Sequence, residues 1–248
     1  MTKTAILSDI HGNLEALLAV IDSIQKQQVD RVICLGDVIG YGPNPKECLD
    51  LCQQFDLCLL GNHDNGALFP PEGFSANAER AIEWTRLQLV IAEDDARDQR
   101  FAFLNQMPRV HLDKDRMFVH GSPRLPLTEY VFPEDANNSQ RIERLLSFVQ
   151  HVCFQGHTHI PGVFTHDSRF LTPRNLPEGF GIPQEKIMVN VGSVGQPRDG
   201  DPRACYVILE DDWLEFFRVE YDFETTAAKI FEIPSLDNFL GERLREGK

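Results

Sequence analysis

Two hydrophobic periods alternate along the first part of the chain. Residues 4–8 form a short continuous apolar run and read as a buried strand, whereas 13–27 place Leu14, Leu17, Leu18, Ile21 and Ile24 on one helical face. The alternation continues with a strand at 31–35, a helix at 45–53 with proline in its first turn, and a strand at 57–60. Strands separated by helices predict a parallel sheet as the default. Further on, 117–119 and 152–154 read as strands with an amphipathic stretch at 140–149 between them. Residues 162–165, 186–191, 204–210 and 213–219 are strand-like, the last two joined as a hairpin at Asp211-Asp212, so the second half is richer in β structure.

Residues 65–108 break this rhythm. They open with Pro70-Pro71-Glu72-Gly73 and then carry a predicted helix at 76–91, with Trp84, Leu87 and Ile91 along one stripe. The stripe is expected to pack against the sheet, and an insertion at this point is placed to roof whatever lies at the preceding strand end. Residues 225–245 read as two short helices broken at Pro234, a surface brace.

A chain of 248 residues with 42% hydrophobic content and no break in composition is expected to fold as a single domain over 1–248. Its net charge of -14, from 38 acidic against 24 basic residues, excludes a surface that coats nucleic acid or anionic membrane. The N-terminal residues show no signal-peptide pattern and no apolar run reaches the length of a membrane span, which predicts a cytoplasmic protein. Six scattered cysteines sit mostly in apolar runs and are read as packed thiols. Cys48 and Cys52 fall one helical turn apart, but no Cys or His pair stands at zinc-site spacing with them.

The chemistry lies in five short motifs, each just after an apolar run. They are Asp9-Ile10-His11, Gly36-Asp37, Gly61-Asn62-His63-Asp64, His120-Gly121 and Gly156-His157-Thr158-His159. Singly, an Asp-x-His or a lone histidine means little. Together, Asp9, His11, Asp37, Asn62, His120, His157 and His159 supply carboxylate, amide and imidazole donors at strand ends, where a sheet gathers distant segments. That donor set suits two divalent transition-metal ions and points to attack on phosphate esters. Flanking glycines allow backbone and phosphate to approach closely. Two cations offset by two aspartates leave a site of about +2 inside an acidic shell, suited to a small phosphorylated substrate.

This order of motifs resembles the calcineurin-like metallophosphoesterase superfamily over residues 9–159. The resemblance implies an α/β (α+β) fold of two packed mixed β-sheets flanked by helices, with the site at the strand ends. It further implies that Asp9, His11, Asp37 and His159 hold one ion, that Asp37, Asn62, His120 and His157 hold the other, and that each Asp37 oxygen faces one ion. His63 corresponds to the family's non-ligand histidine, which stabilises charge or protonates the leaving oxygen while a metal-bridging hydroxide attacks phosphorus. Mn²⁺ is the first choice of ion, with Fe, Zn, Ni or Co also compatible with these donors.

Within the superfamily, the serine/threonine protein phosphatases carry Asp and Arg where this chain has Gly40 and Tyr41, which argues against that branch. The runs 40–45, 120–123 and 190–200 are similar instead to small bacterial phosphoesterases and diadenosine-tetraphosphate-hydrolase-like proteins. Arg124 and Arg198 are candidates for phosphate contact, and Tyr41, Phe69 and Phe74 for stacking on a nucleobase; surface solvation or ordinary packing is the competing reading for each. The leading expectation is a phosphomonoester or phosphodiester hydrolase acting on small molecules such as nucleotides or dinucleoside polyphosphates. A phosphoprotein phosphatase and a non-catalytic interaction scaffold are the alternatives.

Overall fold

The computed structural model describes residues 2–91 and 96–248. Residues 92–95, inside the expected insertion at 65–108, lie outside the described residues. The chain begins with β1 (Lys3–Leu7), α1 (Leu14–Lys26), β2 (Arg31–Cys34), α2 (Pro45–Cys52) and β3 (Leu57–Cys58). Three helices follow, α3 (Asn62–Leu68), α4 (Ala76–Val90) and α5 (Ala96–Gln106). Next come β4 (Val110–Asp113), β5 (Arg116–Val119), α6 (Ser139–Leu146), β6 (Val152–Gln155), β7 (Gly162–Phe164), β8 (Phe170–Leu171), β9 (Phe180–Gly181) and β10 (Ile187–Asn190). The hairpin β11 (Ala204–Glu210) and β12 (Trp213–Val219) precedes α7 (Phe223–Phe231) and α8 (Phe239–Glu242). No described helix is long and apolar enough to cross a membrane.

The strands form two six-stranded sheets, ordered β3-β2-β1-β11-β12-β9 and β4-β5-β6-β10-β7-β8. Both are mixed, as expected. Among the described residues parallel pairing is confined to β1/β2, β2/β3, β5/β6 and β6/β10, while β11 lies antiparallel to β1 and β7 antiparallel to β10. A hairpin strand entering beside β1 needs no crossover helix, so the default of parallel order stops there.

Period-two alternation builds the layers. Ile6, Ile33, Val207 and Leu209 face Phe118, Phe154, Val163 and Val189 across the two sheets. The alternate positions Ala5 and Leu7 face Leu17 and Val20 of α1 and Leu49 of α2. On the other outer face, Cys153, Phe164 and Met188 pack with Ile142, Leu145 and Leu146 of α6. Strands buried on both faces are apolar throughout, which is why they read as continuous runs.

Several elements differ from expectation. Helix α3 occupies the motif Gly61-Asn62-His63-Asp64 and its continuation, where Gly66 and the polar residues give no helical stripe. In α4 the buried face is Ala78, Ala81, Ile82, Thr85 and Leu89, while Leu87 and Ile91 are 52% and 56% exposed. The large side chains misled because small alanines make the close contacts. The C-terminal helices break around Pro234 as expected, but Ile230, Leu236, Leu240 and Leu244 cluster with Ala81 and Tyr41, beside the ligand motifs. They are therefore more than a surface brace. Strands β4, β8 and β9 went unread because they are short edge pairings.

The inter-sheet layer sets stability. Phe154 is fully buried and stacks on Phe118, ring centroids 5.2 Å apart. Truncation by Phe154→Ala is expected to cost about 3–5 kcal/mol. Urea denaturation should show a lowered midpoint with unchanged slope; an unchanged midpoint would mean that this layer is not the stabilising one.

Candidate metal centre

The five motifs sit at the carboxyl ends of β1, β2, β3, β5 and β6, so both sheets contribute to one cluster. Groups of candidate ligands come together as Asp9, His11 and His159; His11, Asp37 and His63; and Asp37, His120 and His157. His120 Nε2 lies 3.0 Å from Asn62 Oδ1, 3.1 Å from His157 Nδ1 and 3.3 Å from Asp37 Oδ2. On the other side, His11 Nε2 lies 3.1 Å from His159 Nε2 and 3.7 Å from both Asp9 Oδ1 and Asp37 Oδ2, and His159 Nε2 lies 3.2 Å from Asp9 Oδ1. Ligand bonds of about 2.1 Å imply ligand-to-ligand edges of about 3.0 Å in an octahedron and about 3.4 Å in a tetrahedron. The observed spacings bracket those edges.

Asp37 departs from the expected arrangement. One oxygen, Oδ2, faces both His11 and His120, whereas Oδ1 accepts the His63 backbone N–H at 2.8 Å. The second oxygen is thus committed to orienting the carboxylate.

Backbone conformation at the site is unusual. Asp9, His11, Asp37, His157 and His159 all have positive φ, between 50° and 68°. Left-handed conformations of non-glycine residues cost about 1–2 kcal/mol each and persist only where surroundings over-determine them. Here the β1 and β2 loops clasp each other: Asp9 N–H donates to Gly36 O, His11 N–H to Asp37 O and Gly12 N–H to Val38 O, at 2.9–3.0 Å. The His157 N–H donates to Asp9 Oδ2, and Asn190 Nδ2 ties Gly156 O and Thr158 Oγ1. At Gly61 any Cβ would collide with the Asp37 carboxylate.

The imidazoles are pre-set for coordination. Nδ1 of His11, His120 and His159 faces the backbone oxygens of Ile39, Leu35 and Gln196. Nδ1 therefore carries a proton in all three, and in His11 and His159 Nε2 presents its lone pair to the cluster. His157 is reversed, with Nδ1 inward, and its ring stacks on Tyr130 at 3.7 Å. Burial pushes His157 down to about 3 and lowers His11 and His159, which keeps them neutral donors. For His120, burial opposes the charge, but Asp37 alongside lifts it to about 9. Burial also works against ionised Asp9 and Asp37, yet His159 and His120, respectively, hold them below the usual range. Asp64, raised to about 7 by burial and then by Asp37, accepts from Gly61 and Ile39 N–H. Asp9 Oδ1 is buried without a hydrogen-bond partner. An orphaned carboxylate oxygen among neutral imidazole lone pairs is the environment of a cation ligand, so the residues present fit divalent metal.

His63 projects from α3 over the cluster, 4.8 Å between ring centroids from His11 and 4.4 Å from Tyr41. Burial brings it down to about 4. Beside it opens a cleft of about 800 Å³, lined by Tyr41, Asn62, Phe69, Phe74, Tyr130 and His157 among others. Tyr41, Phe69 and Phe74 thus line the same cleft. Arg198 lies with Cζ 5.9 Å from the Tyr41 ring centre, and its Nε is buried without a partner. Arg124 is placed differently: it pairs with Glu129 through both Nε and Nη2 and lines a separate cavity with Arg141 and Arg144. A partner five residues along the chain claims it before a substrate does. The six cysteines are buried free thiols, and none joins a metal-competent group among the described residues. Sequence reasoning passed over Tyr130, whose only signal was its spacing of two from Phe132, with which it stacks.

Residues 2–212 match the model of the calcineurin-like phosphoesterase superfamily domain. An uncharacterized protein of Methanocaldococcus jannaschii is 36% identical over 256 residues, covering 98% of each chain. A symmetrical bis(5'-nucleosyl)-tetraphosphatase of Pseudomonas putida is 32% identical over 117 residues, 46% of this chain and 39% of that protein. The crystal structure of a metallophosphoesterase from Sphaerobacter thermophilus superposes with a TM-score of 0.84 at 34% identity, covering 100% of this chain and 99% of that one. A hypothetical protein from Pyrococcus horikoshii shares the fold, with a TM-score of 0.77 at 18% identity over 100% of this chain and 99% of that one.

The position of Asp37 Oδ2 between His11 and His120 makes metal content the direct test of whether it joins two ions. After loading with Mn²⁺ and dialysis, the parent protein should retain two equivalents by elemental analysis and Asp37→Ala at most one, with far-UV dichroism unchanged. Two retained equivalents in the variant would show that Asp37 is not shared.

Proposed function

Because this chain belongs to the calcineurin-like phosphoesterase superfamily and is a metal-dependent phosphoesterase, we propose that it uses a dinuclear site to hydrolyse phosphomonoesters or phosphodiesters of small molecules, with nucleotides and dinucleoside polyphosphates as the favoured class. One ion would be held by Asp9, His11, Asp37 and His159, the other by Asp37, Asn62, His120 and His157. The carrying observation is that one oxygen, Asp37 Oδ2, faces imidazoles of both half-sites. When bound, two divalent ions such as Mn²⁺, or Fe, Zn, Ni or Co, would supply Lewis acidity and activate water at neutral pH.

The protein's own groups do the rest. His63 is tethered through its backbone N–H to Asp37, so its ring is positioned by the same carboxylate that joins the half-sites. Its Nδ1 faces Gly40, leaving Nε2 as the nitrogen for a phosphate or departing oxygen. A Cβ at Gly40 would lie 2.5 Å from that Nδ1. The His63 ring thus occupies the space a side chain at residue 40 would take, and the carboxylate and guanidinium of the serine/threonine protein phosphatases are both absent at Gly40 and Tyr41, which favours a different branch.

Cleft shape points the same way. A volume of about 800 Å³ lies in the range of small-molecule sites. The Phe69–Phe74 stretch of the 65–108 insertion walls one side, which favours a small ligand over a folded phosphoprotein; we read this stretch as a partial roof. Along the cleft, Tyr41 and Phe69 offer faces for a base, and Arg198, beside the Tyr41 ring, offers charge for phosphate oxygens.

His63→Ala is expected to lower kcat on p-nitrophenyl phosphate and bis(p-nitrophenyl) phosphate by about 10²–10⁴-fold while bound metal is retained. Undiminished kcat would remove His63 from catalysis. The wider reading fails if metal-loaded parent protein turns over no monoester, diester, nucleotide or dinucleoside polyphosphate faster than the metal-free protein.

A further inference from the structure

Arginine in this acidic chain is mostly matched to carboxylate: Arg124 with Glu129, Arg203 with Asp201, Arg218 with Asp199, Arg245 with Glu224. Arg109 is not. It enters no ion pair among the described residues, and its side-chain partner, Asn65, carries no charge. It also lines the cleft of about 800 Å³ whose lining includes the candidate ligands Asn62 and His157.

Two contacts place this guanidinium beside a ligand motif. Arg109 lies between α5 and β4, where Pro108 O accepts the Leu60 N–H at 2.9 Å, so its main chain is fastened to the segment just before Gly61. Its side chain gives Nη2 to Asn65 Oδ1 at 3.3 Å. Asn65 stands three residues beyond Asn62 in α3, an axial rise of about 4.5 Å, so the two amides share a side of the helix. The guanidinium is therefore held about one helical turn from the residue that would meet a cation. Its bond to Asn65 uses one of five N–H donors, and a neutral amide leaves the charge uncompensated. Of the described residues lining the cleft, Arg109 alone carries a permanent positive charge and Glu72 is the sole carboxylate, and the two do not pair.

We propose that Arg109 is a specificity-determining residue that binds a second oxyanion group of the substrate, separate from the phosphate under attack. The inference rests on the reading above, that the scissile phosphate occupies the Asp37 cluster. With that phosphate beside Asn62, the remainder of the ligand runs along the cleft, where the unused edge of the guanidinium meets a linked phosphoryl group or carboxylate. Exposure sets the size of the effect. Arg109 is open to solvent, so water and salt screen it, and it sorts substrates more than it holds them.

Non-hydrolysable probes separate this contact from turnover. Calorimetric titration of Mn²⁺-loaded protein with methylphosphonate, phosphonoacetate and ethylenediphosphonate, at constant ionic strength, compares one anionic group with two. In the parent both two-headed probes should bind more tightly than methylphosphonate, and the larger gain identifies carboxylate or phosphoryl as the preferred second group. Arg109→Gln should cut that gain about fivefold while methylphosphonate affinity stays within about twofold, as loss of one screened, charge-assisted contact predicts. Chelation of the ions by the second group would survive this change, so the Arg109-dependent part of the gain is what counts. Arg109→Lys, which returns the charge without the fork, should recover part of it. Equal weakening of all three ligands, or an unchanged gain in folded Arg109→Gln, would overturn the assignment. An Arg109-dependent gain in a protein hydrolysing no phosphoester would support the contact while removing the catalytic reading, and turnover with a gain indifferent to Arg109 would do the reverse.

Discussion

A single carboxylate oxygen facing imidazoles from two different sheets is the constraint on which the rest of the structure depends. His11 follows β1 in one sheet and His120 follows β5 in the other, and Asp37 Oδ2 stands 3.7 Å and 3.3 Å from their Nε2 atoms. Their separation is therefore set by how the sheets pack. Ile6, Ile33 and Leu35 on one side and Phe118, Phe154 and Val189 on the other fill that interface. A core of this kind transmits sub-ångström changes because it has little free volume in which to absorb them. Packing and coordination geometry are thus one problem.

The site is expensive to build. Five donor residues hold left-handed backbone conformations, and carboxylates and imidazoles are stripped of water together. Compensation comes mostly from the backbone. The loops after β1 and β2 exchange hydrogen bonds, and Val194 and Gly195 return from the other sheet to donate to Ser8 and Asp9 oxygens. Imidazole protons are drawn to main-chain oxygens, so orientation does not wait for a ligand. The electrostatic compensation left over, chiefly at Asp9 Oδ1, is what a cation would supply.

Much of this was legible in the sequence, for identifiable reasons. Strands buried on both faces must be apolar, and donor residues placed just past them must gather at one edge, so the motifs carried the position of the cluster. The mixed two-sheet fold followed from the family resemblance of their order and not from the strand pattern, which predicted parallel pairing. Orientation was not legible. Which Asp37 oxygen faces inward depends on the N–H of His63, and the helix that starts at Asn62 has no apolar stripe to announce it. The α4 face was misread because alanines, not Trp84 or Leu87, make its close contacts. Arg124 looked available because Glu129 is an ordinary acidic residue until the loop after His120 folds back and presents it. Nothing in the sequence announced that the C-terminal tail returns to the loop after β10, where Gly247 is seated against the Asp201 backbone.

That seating divides the molecule's labours. The candidate metal ligands all lie at or before position 159, within a framework whose angles leave little room for change. The walls that meet the remainder of a ligand come from the Phe69–Phe74 stretch and the C-terminal helices, which touch that framework chiefly through side chains and one glycine carbonyl. Selectivity can accordingly drift by resculpting a border while the reactive heart stays as it is.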